Sequence, residues 1–369
     1  MIRSRVRTRV GVLVPGAALV LAVVVSATLA LNGGLVGAIA HAQPATPGKT
    51  TAELDGFAPV VQLPTDVPLF IGAGTSANSG HTTLTTDVPD FLRQVSSPSP
   101  RLRAAVEAFF EQGGTAAFVL TTPTEDAAGF IAALASITPK QPPQVPVGWA
   151  MIVLPALGSL ADSDWLTVAR AATATASANR AIALLDPPDA AVAAAQTAGA
   201  APLTSVAHQL TSSISRTAGA VLVSSGFSGP GAPVPGAAVL AGIIADSDST
   251  VGTWSSPGGL AYPVAGGLEP ALVVDDGLSD ALVAANIDSW RVVPGTGTIM
   301  LGTRTLARTV ANWISVTRTT ISITRSIQVS LQPFVFAAND SATWSAVTEM
   351  ISDRLRRTHH VLTKFAPVA

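Results

Sequence analysis

Between Val67 and Val223, five short apolar runs alternate with longer stretches of helical spacing, and this alternation restricts the fold more than any other feature of the chain. The runs are Val67–Ile71, Ala116–Leu120, Trp149–Leu154, Ala181–Leu185 and Ala218–Val223. Each lacks the apolar–polar alternation of a half-exposed strand, so each reads as a strand buried on both faces. Between them, Leu102, Val106, Phe109 and Phe110 recur at helical spacing up to a stop at Gly113-Gly114. Glu125–Ile137, Ala161–Ala178 and Ala190–Ala198 read as further helices. Asp87 is placed to cap a short helix carrying Phe91, Leu92 and Val95, and Ser159 or Asp162 to cap the helix that follows them. Strands joined through helices need crossover connections, which gives the expected class: α/β, a mostly parallel sheet flanked by helices on both faces.

Ser224–Pro235 is rich in Gly, Pro and Ser and reads as the internal boundary. Beyond it, Gly236–Ile244 and Leu278–Ala285 look helical, and Asp275-Asp276-Gly277 reads as a turn before the second of these. Ser289–Val293 and Thr298–Leu301 look like strands joined by a tight turn at Gly295 and Gly297. Trp313–Gln328 is amphipathic and helical in spacing, although Thr317–Thr324 has strand propensity. Gln332–Phe336 reads as a strand, and a last helix from Asn339 or Asp340 sets Trp344, Val347, Ile351 and Leu355 on one face. The expected organisation is 1–42 as a signal peptide or membrane anchor, 43–66 as an extended arm, 67–223 as the α/β core, 224–235 as a linker, and 236–369 as a smaller α+β module.

Residues 1–42 contain no acidic side chain. Arg3, Arg5, Arg7 and Arg9 precede an uncharged run from Val10 to Ala40, and Ala40-His41-Ala42 has the small-x-small pattern of a cleavage site. This is the layout of a secretory signal, with an apolar run longer than the usual ~7–15 residues. An uncleaved anchor is the alternative, in which residues 10–40 are the only membrane contact. Either reading places the protein outside the cell or in the cell envelope.

Without residues 1–42 the chain has 17 Lys/Arg against 23 Asp/Glu, distributed as 8 against 20 in residues 43–290 and 9 against 3 in residues 291–369. Opposed fields of this kind align subunits head to tail, or cover one another within a fold. The basic end has no dense Lys/Arg run with interleaved aromatics, so no nucleic-acid partner is expected.

The absence of cysteine excludes thiol nucleophiles and zinc–thiolate sites. Of the five histidines, His41 lies in the signal, and His359 and His360 lie near the end beside Arg356 and Arg357. His81 and His208 remain, neither in a catalytic signature, and Ser224-Ser225-Gly226 lacks the nucleophile-elbow pattern. Asp162-Ser-Asp164 and Asp246-Ser-Asp248 lack the central Gly and closing Glu of a calcium loop. There is no phosphate loop and no dinucleotide fingerprint. Trp290 and Trp313 read as core. No catalytic residue, cofactor or metal is therefore expected, and a secreted hydrolase trails for want of a site.

A series of landmarks in fixed order adds to this reading. Thr46-Pro47-Gly48, Glu53, Pro59 and Val67–Gly72 come first, then Asp90-Phe91 and Phe109-Phe110 before Gly113-Gly114. Arg180-Ala181-Ile182 with Asp186-Pro187 follows, then Pro233-Val234-Pro235, Ala241-Gly242-Ile243, Gly252-Thr253-Trp254 and Pro257. The sharpest part runs from Ile287 through Trp290 and Gly302-Thr303-Arg304-Thr305-Leu306 to Asn312-Trp313-Ile314, Asn339-Asp340 and Trp344. In this order they resemble contractile tail sheath proteins, which form the sleeve around phage tails and related injection machines. The departures are Asp246 in place of an arginine, Ser255 near a usual lysine, Thr317-Arg318 for an Arg-Arg pair, and Ala337-Ala338-Asn339 for acid-Pro-Asn. The family also continues past the position of Ala369 through further strands and a C-terminal arm.

The resemblance implies a non-catalytic structural protein that assembles with itself around a tube-like partner, its subunits linked by arms that add strands to a neighbour's sheet. On that reading Thr50, Thr51, Ala52, Glu53 and Leu54 form the donated strand, and Arg318 and Arg325 are interface cations. The alternative is an exported monomeric binding module on a degenerate sheath fold, favoured by the missing C-terminal strands and the changed basic positions.

Overall fold

The computed structural model describes residues 63–76, 80–139, 148–229, 231–309 and 312–365. Pro64–Ser322 forms one compact unit, and the residues from Ile323 onward belong to a second. The signal-like segment and the arm residues Thr50–Leu54 lie outside the described residues.

In chain order the strands are β1 (Pro68–Ala73), β2 (Thr75–Ser76), β3 (Thr83–Thr85), β4 (Val95–Ser96), β5 (Ala117–Thr122), β6 (Met151–Val153), β7 (Ile182–Leu185), β8 (Ala220–Val223), β9 (Phe227–Ser228), β10 (Glu269–Pro270), β11 (Ile287–Val293) and β12 (Gly297–Leu301). The helices are α1 (Val88–Gln94), α2 (Pro100–Glu111), α3 (Ala127–Ile137), α4 (Asp162–Ala178), α5 (Asp189–Ala198), α6 (Ala201–Ser213), α7 (Gly236–Thr250), α8 (Asp276–Ala284), α9 (Ile314–Ser330) and α10 (Ser341–Phe365). Eight strands make one sheet in the order β12-β11-β8-β7-β6-β1-β5-β3. The inner strands from β11 to β5 run parallel, and β12 and β3 close the two edges antiparallel. The expected α/β class with a mostly parallel, helix-flanked sheet is the observed one.

The period-two geometry of a strand divides the apolar runs between two cores. Leu69, Ile71, Ile152, Ala183, Leu185, Ala220 and Leu222 face one layer, with Phe130 of α3, Trp165 and Val168 of α4, Val192 of α5, Leu203 of α6 and Leu282 of α8. Phe70, Met151, Val153, Ile182, Leu184, Val221 and Val223 face the other, with Phe91 of α1, Val106 and Phe109 of α2, and most of α7. Helix α7 is apolar all round over Gly236–Ala245 and buried throughout, as expected of a helix covered on both sides. It packs closely enough on α2 that a Cβ on Gly242 would stand 2.5 Å from Gln112 Cβ.

Local signals account for the helix starts. Asp87 accepts from the Asp90 N–H at 2.6 Å, Ser99 from Leu102 at 3.1 Å, Asp126 from Gly129 at 2.7 Å, and Asp275 from Leu278 at 2.8 Å. Helix α4 departs from expectation: its cap position is Ala161, with no side-chain cap, and Asp162 and Asp164 lie in its first turn, where their charge favours the helix N-terminus. Helix α6, whose mixed Thr, Ser, His and Gln sequence gives a weak pattern, was not expected. Gln332–Phe336 is not a strand but a 3-10 turn over Gln332–Phe334, with Phe336 94 % exposed. Thr317–Thr324 lies within α9. The Gly/Pro/Ser stretch at 224–235 does not interrupt the sheet: Ile287 and Asp288 beyond it pair with Leu222 and Val223 before it.

Candidate functional site

In an open α/β sheet the chemistry normally sits outside the carboxyl ends of the strands, at the point where strand order reverses. Here the reversal is at β1, with β5 on one side and β6 on the other. That place is occupied by the chain itself. Glu125 Oε1 accepts from the Ala73 N–H at 3.2 Å and from the hydroxyl of Ser99, the cap of α2.

Further along the same row of strand ends, Asp186 follows β7 and turns its carboxylate onto the first turn of α7. Its Oδ1 accepts from the Gly236 N–H at 2.7 Å and the Ala237 N–H at 3.2 Å. Burial pushes the Asp186 carboxyl up to about 7, against the pull of the two N–H donors and of Arg101, with Asp189 adding to the rise. Arg101 and Asp189 pair at 2.5 Å. Asp288, on β11, is wholly buried, and burial raises its carboxyl well above the usual range although it accepts from the Arg304 N–H at 2.8 Å. Each of these carboxylates therefore has a structural hydrogen-bonding role within the subunit.

Ser224 and Ser225 are fully buried, and Ser224 Oγ accepts from the Trp290 N–H at 3.3 Å. His81, in the turn before β3, and His208, on α6, are both exposed, and neither hydrogen-bonds to either serine. Asp162 and Asp164 are helix-start residues, and Asp248 is in a buried ion pair. Among the described residues no group of three His, Asp or Glu side chains is placed to hold a metal ion. No helix among them is long and apolar enough to cross a membrane.

The two edges of the large sheet are also engaged. The Leu84 carbonyl of β3 accepts from Gln94 Nε2 at 3.0 Å. On β12 the Thr298 carbonyl accepts from the Val264 N–H at 2.7 Å, and a Cβ on Gly258 would stand 2.9 Å from the Met300 carbonyl oxygen.

No protein-family model matches the sequence, and no curated protein is similar to it. Solved structures are similar in fold. The sheath of PVC, an extracellular contractile injection system, in its contracted state aligns at TM-score 0.62 and 20 % identity over 87 % of this chain and 83 % of that one. The contracted helical sheath of the anti-feeding prophage aligns at TM-score 0.64 and 20 % identity over 86 % and 84 %. A sheath tail protein of Desulfitobacterium hafniense aligns at TM-score 0.55 and 8 % identity over 85 % and 89 %.

The chain has the contractile sheath fold.

Within this sheath fold, the residues expected to serve assembly fall in different places. Arg318 is only 3 % exposed and pairs with Asp248, itself 6 % exposed, while Asp248 Oδ2 also accepts from Thr65 Oγ1 at 2.6 Å. Its charge is met by Asp248 within the chain. Arg325 is likewise fully buried, and burial lowers its guanidinium to about 10. Their positions on α9 carry no signal that tells the buried from the exposed face, because the Thr and Ser around them pack as readily as they hydrate.

Of the two tryptophans expected in the core, Trp290 is there, donating Nε1–H to the Ser225 carbonyl at 3.0 Å. Trp313 is not: it is 41 % exposed, with the Arg304 guanidinium 4.1 Å above its ring. In the unit from Ile323 onward, Val335, Phe336, Trp344 and Leu355 are exposed. Trp344 borders a shallow groove of about 520 Å³ with Ser345, Thr348, Glu349, Ser352 and Arg356.

Proposed function

We propose that this chain is a non-catalytic structural subunit of sheath type, which assembles with copies of itself around a tube-like protein in an extracellular injection particle. The observation that carries the reading is the match of fold along most of both chains to sheath proteins of contractile systems. A second observation points the same way: the strand ends where an α/β enzyme keeps its site are occupied by the chain's own carboxylates in hydrogen bonds to backbone and caps. Assembly then rests on surface: the residues 50–54 arm adds a strand to a neighbour, and the acidic body of one copy meets the basic C-terminal module of the next. Export follows the signal-like residues 1–42. Nucleic acid has no part in it.

The test is deletion of residues 46–62 from the full chain, followed by sedimentation of wild type, variant and their mixture. Loss of polymer in the variant is expected. Polymer of unchanged mass would remove the arm from the account.

A further inference from the structure

The topology sorts exposed charge along the strand axis. A helix that follows a parallel strand starts at that strand's carboxyl end and returns toward the amino end of the next. Aspartate favours the first turn of such a helix and arginine its last. The helix layer over Leu69, Ile152 and Leu222 follows this rule. Asp126, Asp162, Asp164 and Asp275 are exposed at its helix starts, with Asp280 one turn into α8. Two contacts fix that end: Trp165 Nε1 donates to the Asp186 carbonyl just past β7 at 2.8 Å, and the Ala271 N–H donates to the Gly226 carbonyl just past β8 at 2.9 Å. At the amino ends, Arg180 precedes β7 and Arg216 precedes β8, and the Arg308 N–H donates to the Arg216 carbonyl at 2.8 Å. Arg216 and Arg308 are exposed. Residues 176–181, 211–219 and 303–309 hold no Asp or Glu. Among the described residues, none of these five aspartates and three arginines is in an ion pair.

The opposite layer is charged the other way round. Helix α2 starts at the carboxyl end of β1, where the Ser99 N–H donates to the Ala73 carbonyl at 2.8 Å, and it carries Arg101 and Arg103 near its start and Glu111 at its end. The last turns of α7 bring Asp246 to the same amino end, where a Cβ on Gly113 would stand 3.0 Å from Asp246 Cβ. Each end of the sheet therefore shows acid on one layer and base on the other. Two copies stacked along the strand axis in one orientation set acid against base in both layers. A half-turn of one copy about that axis sets like charges together in both.

We propose that a second copy docks end to end on the first, its Arg216 and Arg308 against the Asp162, Asp164 and Asp280 end of its neighbour. The proposal rests on the self-assembly reading above and gives it a direction and an orientation. Contact between two different ends is heterologous, so it builds rows or closed rings, and like charges facing each other exclude the wrong orientation.

The experiment uses the full chain and two charge-reversal variants, Arg216→Glu/Arg308→Glu and Asp164→Lys/Asp280→Lys. All four side chains are exposed, and melting temperatures confirm that the variants fold. In either variant alone the two ends of this layer carry one sign, and about tenfold less polymer than the parent is expected by sedimentation. Mixing the two variants in equal amounts, or placing all four changes in one chain, restores opposite signs at each contact and should restore polymer. Parent-like polymer from either variant alone, or a loss that mixing does not reverse, would overturn this docking and leave the assembly reading standing. A parent that forms no polymer, with variants that form no complex on mixing, would overturn both.

Discussion

A Cβ on Gly302 would stand 2.5 Å from Asp288 Oδ1, and Gly302 has φ +113°, a conformation that side chains rarely adopt. The Gly-Thr-Arg-Thr-Leu sequence is thus held by the buried aspartate on β11, which accepts the Arg304 N–H two residues on. Gly302→Ala is expected to cost about 2–4 kcal/mol, since it adds a steric clash to backbone strain. Gly295, at φ +79° with open space around it, should cost only about 1–2 kcal/mol on the same change. Equilibrium denaturation of the two variants checks the order; equal losses would contradict it.

The Arg318–Asp248 pair is nearly inaccessible, so removing one partner leaves a buried charge. Arg318→Met should destabilise by about 3–5 kcal/mol. The double variant Arg318→Met/Asp248→Asn should recover part of that loss, a coupling that a double-mutant cycle measures. Additive losses would mean that the two side chains do not act on one another.

Trp290 and Trp313 should respond differently. Trp290→Ala removes a fully buried ring and its hydrogen bond to Ser225, at about 3–5 kcal/mol. Trp313→Ala gives up a half-exposed ring and its Arg304 contact, at about 1 kcal/mol. Melting temperatures of both variants against the parent decide this.

Asp186 should leave a mark on the pH profile. Its unfolded carboxyl titrates near 3.8 and its folded one near 7. Between those values the native state binds more protons, so this group's contribution to stability declines as pH rises from about 4 to about 7 and is level above. Asp186→Asn keeps an acceptor for Gly236 and Ala237 and removes the titration. Relative to Asp186→Asn, the parent should lose stability, on the order of a few kcal/mol, between pH 4.5 and 7.5. Parallel profiles would contradict the burial argument. Asp288, also raised by burial, gives both proteins the same additional slope.

Much of the fold was legible because it rests on local rules. Buried parallel strands such as Ile182–Leu185 are continuous apolar runs, and Asp87 and Asp275 announce the helices they cap. What was hidden depends on tertiary neighbours. Whether Arg318 faces water or Asp248 depends on a residue 70 positions away. Gln332–Phe336 has strand propensity, but among the described residues no strand pairs with it.

The central claim is self-assembly. Electron microscopy of the purified full chain, with sedimentation velocity on the same sample, tests it most directly. Rings, tubes or filaments together with fast-sedimenting material are the predicted result. A single sharp species of monomer mass, with featureless fields at concentrations well above those used for the arm-deletion test, would contradict it and favour a monomeric binding module on the sheath fold.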